Sequence, residues 1–404
     1  MSIETPHRLG SAPMVSTTTE MIERIREIGP LLRGNAIAGD TDRRVPDESM
    51  DALEAAGAFS ILIPERFGGL GGGAADLVEA ARLIGRYDPA ASWVTVISNG
   101  SAMLGLRFPE TAIERVFDSG RPVRMSSIIV SQGGQAVREG AGYRISGKWP
   151  FASNSLHAEW AVVVVPLQET PDSDPVPGYA LVHKDQWEVL DTWHTIGMRG
   201  TGSNTIVVSG GWIPEDQTVA AEHLLGPTVE TQRDVLDVQR LAPVSTMSTA
   251  IAAPSLGAAD ALLELVAEQA HQRGITYSNY RPQTTSEAFV RGIGEVRAKI
   301  DSAGLLLQRS AESVDAASRA TDPLSLAGRA QCRNDVAHAA HSMADAANDL
   351  AWLYGTALFA DTNPVGRLWR DINTGTRHAL VASPLGYEIG GAGFLGIEPP
   401  APIV

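Results

Sequence analysis

The segment YRISGKWPFASNSLHAEWAVVVV, residues 143–165, contains two strand-like runs on either side of a polar turn. Aromatic and β-branched residues, which favour strands, fill the runs Tyr143–Ile145 and Trp160–Val165. Proline, serine and asparagine occupy the stretch between the runs, and these residues are typical of turns. The segment therefore predicts two β-strands separated by a loop that contains Ser153.

Short runs of the same kind continue on both sides of this segment, with Gly, Asn, Asp and Pro between them. They are Arg124–Val130, Tyr179–Val182, Trp187–Leu190 and Thr205–Val208. Short strands that recur at this spacing predict an all-β unit of about 100 residues.

The sequence outside this unit has the spacing of helices. Residues 18–33 place Met21, Ile22, Ile25, Ile28 and Leu31 on one apolar stripe. Between residues 230 and 354 alanine and leucine dominate and turn residues are few, which is typical of long bundled helices. We predict a mostly helical α+β protein with an N-terminal helical domain (1–124), a middle β-barrel or sandwich domain (125–226) and a C-terminal four-helix bundle (227–404).

Composition and charge exclude several classes of protein. The 404 residues include 32 basic and 47 acidic side chains, a net charge of −15. Because so acidic a chain repels phosphate backbones and anionic lipid, we expect neither nucleic acid nor a membrane as a partner. The single cysteine, Cys332, excludes an internal disulfide and a cysteine-cluster metal site. The N-terminus has no secretory pattern, so we expect a cytoplasmic protein.

Common catalytic and binding motifs are absent or incomplete. The glycine-rich segment FGGLGGGAADL, residues 67–77, lacks the Lys-Ser/Thr of a phosphate loop and predicts a tight turn instead. His338 and His341 are three residues apart on a predicted helix near Asp335 and Asp345, but such spacing is common by chance, so we predict no metal site. The sequence has no G-x-S-x-G and no H-E-x-x-H motif.

Several segments, in order, resemble the acyl-CoA dehydrogenase fold superfamily. PERFGGLGGG (64–73) resembles its N-terminal P-E-x-x-G-G-x-G motif, and SGKWPFASNSLHAEW (146–160) with GMRGTGS (197–203) resembles its middle domain. LYGTALFADTNPVGRLWRDINTGTRH (353–378) resembles its glycine-rich turn, P-V-x-R-L-x-R-D run and catalytic loop. The resemblance covers nearly the whole chain and implies a homotetramer.

Two departures from the dehydrogenase pattern point to a different branch of the fold. In the dehydrogenases a glutamate about nine residues beyond the R-D arginine removes the α-proton of a thioester. Counted from Arg370, this position is Ala379, preceded by His378. The arginine-x-x-phenylalanine-glycine segment that helps to hold the FAD diphosphate is replaced by RGITYSNYRPQ, residues 273–283, which predicts a less tightly held flavin.

A histidine at this place resembles the two-component flavin-dependent monooxygenases, such as the oxygenase of hydroxyphenylacetate hydroxylase. The resemblance implies that reduced FMN or FADH₂ diffuses from a separate, transiently bound reductase and reacts with O₂. It implies hydroxylation of an aromatic or other electron-rich small molecule through a flavin C4a-hydroperoxide. N- or S-oxygenation would use the same flavin chemistry.

The same resemblance supplies the candidate site residues. Ser153 and His378 are the catalytic candidates: the serine lies near the flavin N5, and the imidazole, with a near-neutral pKa, takes a phenolic proton or donates to the peroxide. The cofactor-binding candidates are Trp149, Phe151, Ser153, Arg199, Thr201 and Ser203. Trp193 and His194 are candidates for the substrate pocket. Arg370 and Asp371 are interpreted as an internal ion pair, and His157 as a structural residue.

Two alternatives to a monooxygenase remain at this point. A true acyl-CoA dehydrogenase predicts tightly bound FAD and a carboxylate base elsewhere, for which Glu264 and Glu268 are the first candidates. A non-catalytic flavin-fold binding subunit predicts that neither oxidised nor reduced flavin binds.

Overall fold

The computed structural model describes residues 15–129, 134–170, 172–226, 237–320 and 322–401. Within these ranges, five α-helices precede the first strand: α1 (Thr18–Asp42), α2 (Asp47–Ala55), α3 (Ala74–Gly85), α4 (Pro89–Gly105) and α5 (Glu110–Phe117). The predicted stripe of α1 is largely correct, because Met21, Ile22 and Ile25 are buried. The helix continues beyond the predicted segment to Asp42.

Eight strands form one mixed sheet, in the order β6-β7-β3-β2-β4-β5-β8, with β1 paired to β4. The strands are β1 (Met125–Ile128), β2 (Gly134–Glu139), β3 (Gly142–Ala152), β4 (Trp160–Gln168), β5 (Val176–His183), β6 (Glu188–Leu190), β7 (Asn204–Pro214) and β8 (Thr218–Ala220). Each of the six predicted runs overlaps a strand, whereas β2 and β8 were not predicted. β4 pairs in parallel with β1 and β2, and antiparallel with β5.

The remaining helices follow the sheet: α6 (Ala221–Leu225), α7 (Asp237–Arg240), α8 (Pro243–Ala270), α9 (Glu287–Arg319), α10 (Leu326–Tyr354), α11 (Pro364–Gly375) and α12 (Ser383–Leu395). Helices α8, α9, α10 and α12 pack together as the predicted bundle, and α11 lies against α8. The bounds of the three domains stay a prediction.

Helix α8 is the central element of the protein. Its residues are apolar over a length that could cross a membrane, but 83% of its most apolar window is buried against other helices. It contacts α3 and α4 on one side and α9, α10 and α11 on others, so it joins the N-terminal helices to the bundle. The apolar character of α8 is that of a core helix.

The glycine-rich segment after residue 67 forms a tight turn, as predicted. Gly68 has a φ of 79°, and a Cβ at Gly69 would lie 2.0 Å from the carbonyl oxygen of Ile63, so the turn requires glycine there. The N-terminus of α3, which follows this turn, binds a carboxylate of the protein itself. The Asp315 carboxylate accepts hydrogen bonds from the backbone N–H groups of Ala74 and Ala75, at 2.7 and 3.0 Å.

Candidate active site

A bulge at the end of β3 presents Ser153. The pairing of β3 with β7 shifts register between Trp149 and Ala152, and Phe151 within this stretch has a φ of 61°. The carbonyl oxygen of Ser153 accepts a hydrogen bond from the Ser126 hydroxyl at 2.7 Å. The Ser153 side chain is therefore held in a fixed position beyond the regular ladder.

A continuous chain of hydrogen bonds runs through the Ser153 hydroxyl. The indole N–H of Trp93, on α4, donates to Ser153 Oγ at 3.2 Å, and Ser153 Oγ lies 2.6 Å from Ser203 Oγ. Ser203 Oγ lies 2.7 Å from Thr201 Oγ1, which donates to the carbonyl oxygen of Met198 at 2.8 Å. Three predicted cofactor residues, Ser153, Thr201 and Ser203, thus share one buried network.

Helix α11 positions the turn that carries Thr201 and Ser203. Met198, at the start of this turn, has a φ of 52°, and its N–H donates to the Asp371 carboxylate at 2.6 Å. A Cβ at Gly197 would lie 2.3 Å from the carbonyl oxygen of Arg370. The glycine allows the turn to approach the helix at backbone distance.

His378 follows α11 and also contacts Trp93. Its ring meets the indole edge to face, at 5.5 Å between centroids and an angle of 71°. Its Nδ1 accepts a hydrogen bond from the Leu380 N–H at 3.2 Å. Burial, and then the positive charge of Arg333, lower the pKa of His378 to about 4, so our expectation of a near-neutral pKa is wrong.

Aromatic side chains border the open side of this network. Phe151 is 70% exposed, and its ring meets that of Trp193 edge to face at 6.2 Å. The indole N–H of Trp193 donates to the carbonyl oxygen of Met198 at 2.9 Å, which ties it to the same turn. His194 is exposed, and its Nε2 lies 3.5 Å from Asp191.

Trp149 does not belong to this group. Its side chain is completely buried in the core of the sheet, and its indole N–H donates to the carbonyl oxygen of Val164 at 2.8 Å. Both its ring and its polar atom are therefore satisfied within the protein. We leave Trp149 out of the proposed cofactor site.

The predicted charged residues mostly hold the domains together. Arg199 donates to the carbonyl oxygens of Asp40 and Thr195, at 2.7 and 2.9 Å. The predicted pair of Arg370 with Asp371 is wrong. Arg370 donates to Asp40 at 3.0 Å, whereas Asp371 lies 3.3 Å from Arg367.

The histidines considered for metal binding have protein partners. His338 Nδ1 lies 3.0 Å from the Tyr387 hydroxyl, and His341 Nε2 lies 3.6 Å from Asp345. Within the described ranges, the structure places no group of three or more His, Cys, Asp or Glu side chains where they could hold a metal ion. His157 is buried beside Arg44 and Asp47, consistent with a structural residue.

The residue that sequence reasoning missed is Trp93. It lies in α4, whose 17 residues are all buried, so in the sequence it has the appearance of a core residue. Only the fold brings it into contact with both Ser153 and His378, which are separated from it by 60 and 285 positions. The one signal was a tryptophan within an otherwise small-residue helix, because a buried indole N–H needs an acceptor.

The loop from Phe151 to Ser155 has features that suit a flavin ring. The Oδ1 atom of Asn154 is buried, and the residues that the structure describes give it no hydrogen-bond partner. Phe151, two residues before Ser153, exposes its aromatic ring. A planar, polar-edged ligand at this loop would cover the Phe151 ring and supply hydrogen-bond partners.

The geometry does not favour a thioester dehydrogenase. Residue 379 is an alanine, and both proposed replacement bases, Glu264 and Glu268, are exposed. Glu264 forms an ion pair with Arg86 on the surface. Arg273, in the altered diphosphate segment, stacks on the Tyr354 ring at 4.2 Å and donates to its carbonyl oxygen.

Family comparisons agree with the fold. Residues 30–109 match the family Acyl-CoA dehydrogenase, N-terminal domain, and residues 249–383 match Acyl-CoA dehydrogenase, C-terminal domain. In the sequence, these two matches come before and after the residues that form the eight-stranded sheet.

Three relatives match over nearly their full length. The FADH(2)-dependent resorcinol hydroxylase, oxygenase component, of a Rhizobium species is 28% identical, covering 97% of this chain and 98% of its own. The flavin-dependent monooxygenase oxygenase subunit HsaA of Rhodococcus jostii is 29% identical, covering 93% and 98%. The structure of XiaF from a Streptomyces species, in complex with FADH2 and glycerol, is 33% identical with a TM-score of 0.93, covering 96% and 98%.

These relatives confirm the predicted reduced flavin as cofactor, and two of them are named as the oxygenase component or subunit of an enzyme, which implies a separate reductase for those proteins. Together with the hydroxyl network and the alanine at the glutamate position, Ala379, they decide between the branches of the fold. The chain belongs to the oxygenase components of the two-component flavin-dependent monooxygenases, within the acyl-CoA dehydrogenase fold superfamily.

Proposed function

We propose that this oxygenase hydroxylates a phenolic aromatic compound, and that the reaction takes place between Ser153 and His378. The observation that carries the proposal is the position of Trp93, which contacts both residues from α4. The two side chains come from the sheet and from the loop after α11, so they are brought together only by the complete fold. The name of the relative from Rhizobium, a resorcinol hydroxylase, supports a phenolic substrate.

Reduced flavin, when bound, activates O₂ for transfer of one oxygen atom to the substrate. In the proposal, the Ser153 hydroxyl and the turn from Met198 to Ser203 bind the polar edge of the flavin ring. Phe151 covers part of its face, and Trp193 and His194 lie toward the substrate. The Trp93 N–H donates to Ser153, and because Thr201 donates to Met198, Ser203 donates to Thr201 and Ser153 to Ser203. The Ser153 oxygen can therefore meet a ligand as an acceptor.

Exclusion of water is the second task of these residues. Trp93, Ser153, Thr201 and Ser203 are all buried, and the aromatic pair of Phe151 and Trp193 lies at the open side. In the proposal, bound flavin and substrate cover this exposed aromatic pair, and the exclusion of water slows unproductive release of H₂O₂ before the substrate reacts.

The first experiment mixes the protein anaerobically with photoreduced FMN or FADH₂, adds O₂ with resorcinol, phenol or indole, and quantifies hydroxylated product and H₂O₂. Product in excess of H₂O₂ supports the proposal and identifies the preferred flavin. Quantitative H₂O₂ release with every aromatic, together with bleaching of bound FAD by acyl-CoA thioesters, would overturn it.

A homotetramer and a cytoplasmic location complete the proposal. Large apolar side chains are exposed near the ends of α10 and α12: Trp352 is 88% exposed, Phe394 92% and Leu395 70%. We propose that further copies of this chain cover both places, Trp352 near the end of α10 and the adjacent pair Phe394 and Leu395 beside its start, because such exposed apolar groups often mark protein–protein contacts. Analytical ultracentrifugation of the wild type and of Trp352→Glu/Phe394→Glu tests this, and a monomeric wild type would contradict it.

A further inference from the structure

The hydrogen bond to Nδ1 determines which nitrogen of His378 carries a proton. A neutral imidazole has one N–H, and the other nitrogen accepts. Here the Leu380 N–H donates to Nδ1 at 3.2 Å, within the same short loop. The neutral ring therefore carries its hydrogen on Nε2.

The Nε2 edge of the ring is the one open to a ligand. The described residues give Nε2 no hydrogen-bond partner. Nε2 is also not one of the fully buried polar atoms that lack a partner, so it remains accessible. Trp93 packs against the ring edge to face and leaves the Nε2 edge without a polar contact in the protein. A ligand that binds at this edge can accept a hydrogen bond from the Nε2–H group.

Arg333, on α10, opposes a positive charge on the ring. The residue is 3% exposed, and its Nε and Nη1 atoms have no hydrogen-bond partner within the described residues. Its Nη2 lies 3.5 Å from the carbonyl oxygen of Ala379, in the loop of His378. A catalytic base of this type usually has a carboxylate to stabilise its imidazolium form, whereas His378 has a buried guanidinium nearby.

We infer that His378 acts as a neutral hydrogen-bond donor through Nε2, not as a base, and that the phenolic substrate binds as its oxyanion. Arg333 is the positioning residue of this arrangement: it holds the loop through Ala379 and disfavours the imidazolium. The phenolic proton leaves to the solvent when the substrate binds, and the Nε2 proton stays on His378 throughout. The inference rests on the proposed function, because it assigns the form of the substrate at that site.

Three substitutions at His378 separate a donor from a base. The amide of His378→Gln donates a hydrogen bond but takes no proton, whereas the carboxylate of His378→Glu takes a proton but does not donate. His378→Ala does neither. We expect the glutamine variant to keep turnover within about tenfold of the wild type, and the other two to lose about 10²–10³-fold, as when one preorganised donor is removed. Higher turnover in the glutamate than in the glutamine variant would overturn the inference.

Histidine ¹⁵N NMR of the flavin-free protein gives a second readout that does not depend on activity. The signals of His378 are identified by their loss in His378→Gln. We expect a protonated Nε2 and an unprotonated Nδ1 from pH 6 to 8. A protonated Nδ1, or a doubly protonated ring in that range, would contradict the inference.

The role of Arg333 is tested by the same measurement. Arg333→Met should move the midpoint of the His378 titration upward, toward that of an ordinary histidine, while Arg333→Lys should keep it low. An unchanged midpoint in Arg333→Met would remove the positioning role. If Arg333→Met does not fold, Arg333→Gln replaces it with the same expected upward shift, and the wild-type tautomer still decides the donor role.

The two proposals fail in different ways. A wild type that shows the Nε2–H tautomer but hydroxylates no phenol retains the donor geometry and loses the proposed function. A wild type that hydroxylates phenols with a protonated Nδ1 retains the function and loses the donor inference.

Discussion

The indole N–H of Trp93 donates to the hydroxyl of Ser153 at 3.2 Å, and the ring of the same indole contacts His378. One residue of the N-terminal helices thus links a loop of the sheet to a loop of the C-terminal bundle. Trp93 is the only described side chain that hydrogen-bonds one catalytic candidate and makes an aromatic ring contact with the other. Its loss should affect the coupling of oxygen use to hydroxylation.

Trp93→Phe removes the N–H but keeps an aromatic ring in the core. The Ser153 hydroxyl loses its donor, which costs about 1 kcal/mol of local stability and frees the hydroxyl to rotate. We expect a larger share of the consumed O₂ to appear as H₂O₂, measured against the hydroxylated product. Trp212→Phe is the matched control, because Trp212 also donates through its indole N–H, to Glu139, but on the exposed part of β7. Equal uncoupling in both variants would contradict the role of Trp93.

Ser153→Ala interrupts the chain of hydroxyl groups at its centre. Trp93 Nε1 and Ser203 Oγ both lose a partner inside the protein, and the flavin loses one proposed contact. We expect about a tenfold weaker affinity for reduced flavin, equivalent to about 1.4 kcal/mol. Anaerobic fluorescence titration with FMNH₂ and FADH₂ measures it. The control is Ser155→Ala, two residues along the same loop, whose hydroxyl makes a long bond of 3.4 Å to Gly202. A similar loss in both variants would indicate a general disturbance of the loop.

The strands of the middle domain could be predicted because their composition differs from that of the helices. The two strands that were missed lack this contrast. β2, GQAVRE, is mostly small or polar, and β8 has three residues. Both strands are stabilised by pairing with neighbouring strands. Such pairing cannot be predicted from the local sequence alone.

Trp149 shows why a correct strand can give a wrong site residue. Along a regular strand, residues two apart share a face, so an unbroken β3 would place Trp149 and Phe151 on the same face. The bulge between them, with Phe151 at a φ of 61°, breaks this alternation. Trp149 is therefore completely buried, whereas Phe151 is 70% exposed.

The error at Arg370 and Asp371 has an equally simple geometric cause. Adjacent residues of an α-helix point about 100° apart, so they do not face each other. Asp371 instead meets Arg367, one turn earlier, and Arg370 reaches Asp40 on α1. Contacts between residues so distant in sequence, such as Arg370 with Asp40 or Trp93 with His378, can be identified only from the assembled fold.

Asp371→Asn tests how much the turn of Met198 depends on α11. The carboxylate accepts the Met198 N–H at 2.6 Å and pairs with the buried Arg367, so its loss leaves a buried guanidinium with the more distant Asp88. We expect the free energy of unfolding, measured in urea, to fall by about 3 kcal/mol. Asp301→Asn is the control: it removes an exposed pair with Arg297 on one helix and should cost less than about 0.5 kcal/mol. Equal costs would show that Asp371 is dispensable for the turn.

His157 should make the stability of the protein depend on pH. Burial, and then the charge of Arg44, lower the pKa of this histidine to about 4 in the folded state. The unfolded chain binds a proton at the ordinary pKa of about 6.5, so between these values it holds more protons than the folded chain. The free energy of unfolding is therefore highest above pH 6.5 and falls as the pH drops toward 4, by up to about 3 kcal/mol from this one group.

His157→Gln removes this contribution, so its free energy of unfolding should vary less over the same pH range in urea titrations. His378 acts in the same direction, because its pKa is also lowered to about 4. The double variant His157→Gln/His378→Gln should consequently give a flatter profile than either single variant, since the two residues make no direct contact and their effects should add. An unchanged slope in His157→Gln would mean that this histidine is already protonated in the folded protein, paired with the nearby Asp47.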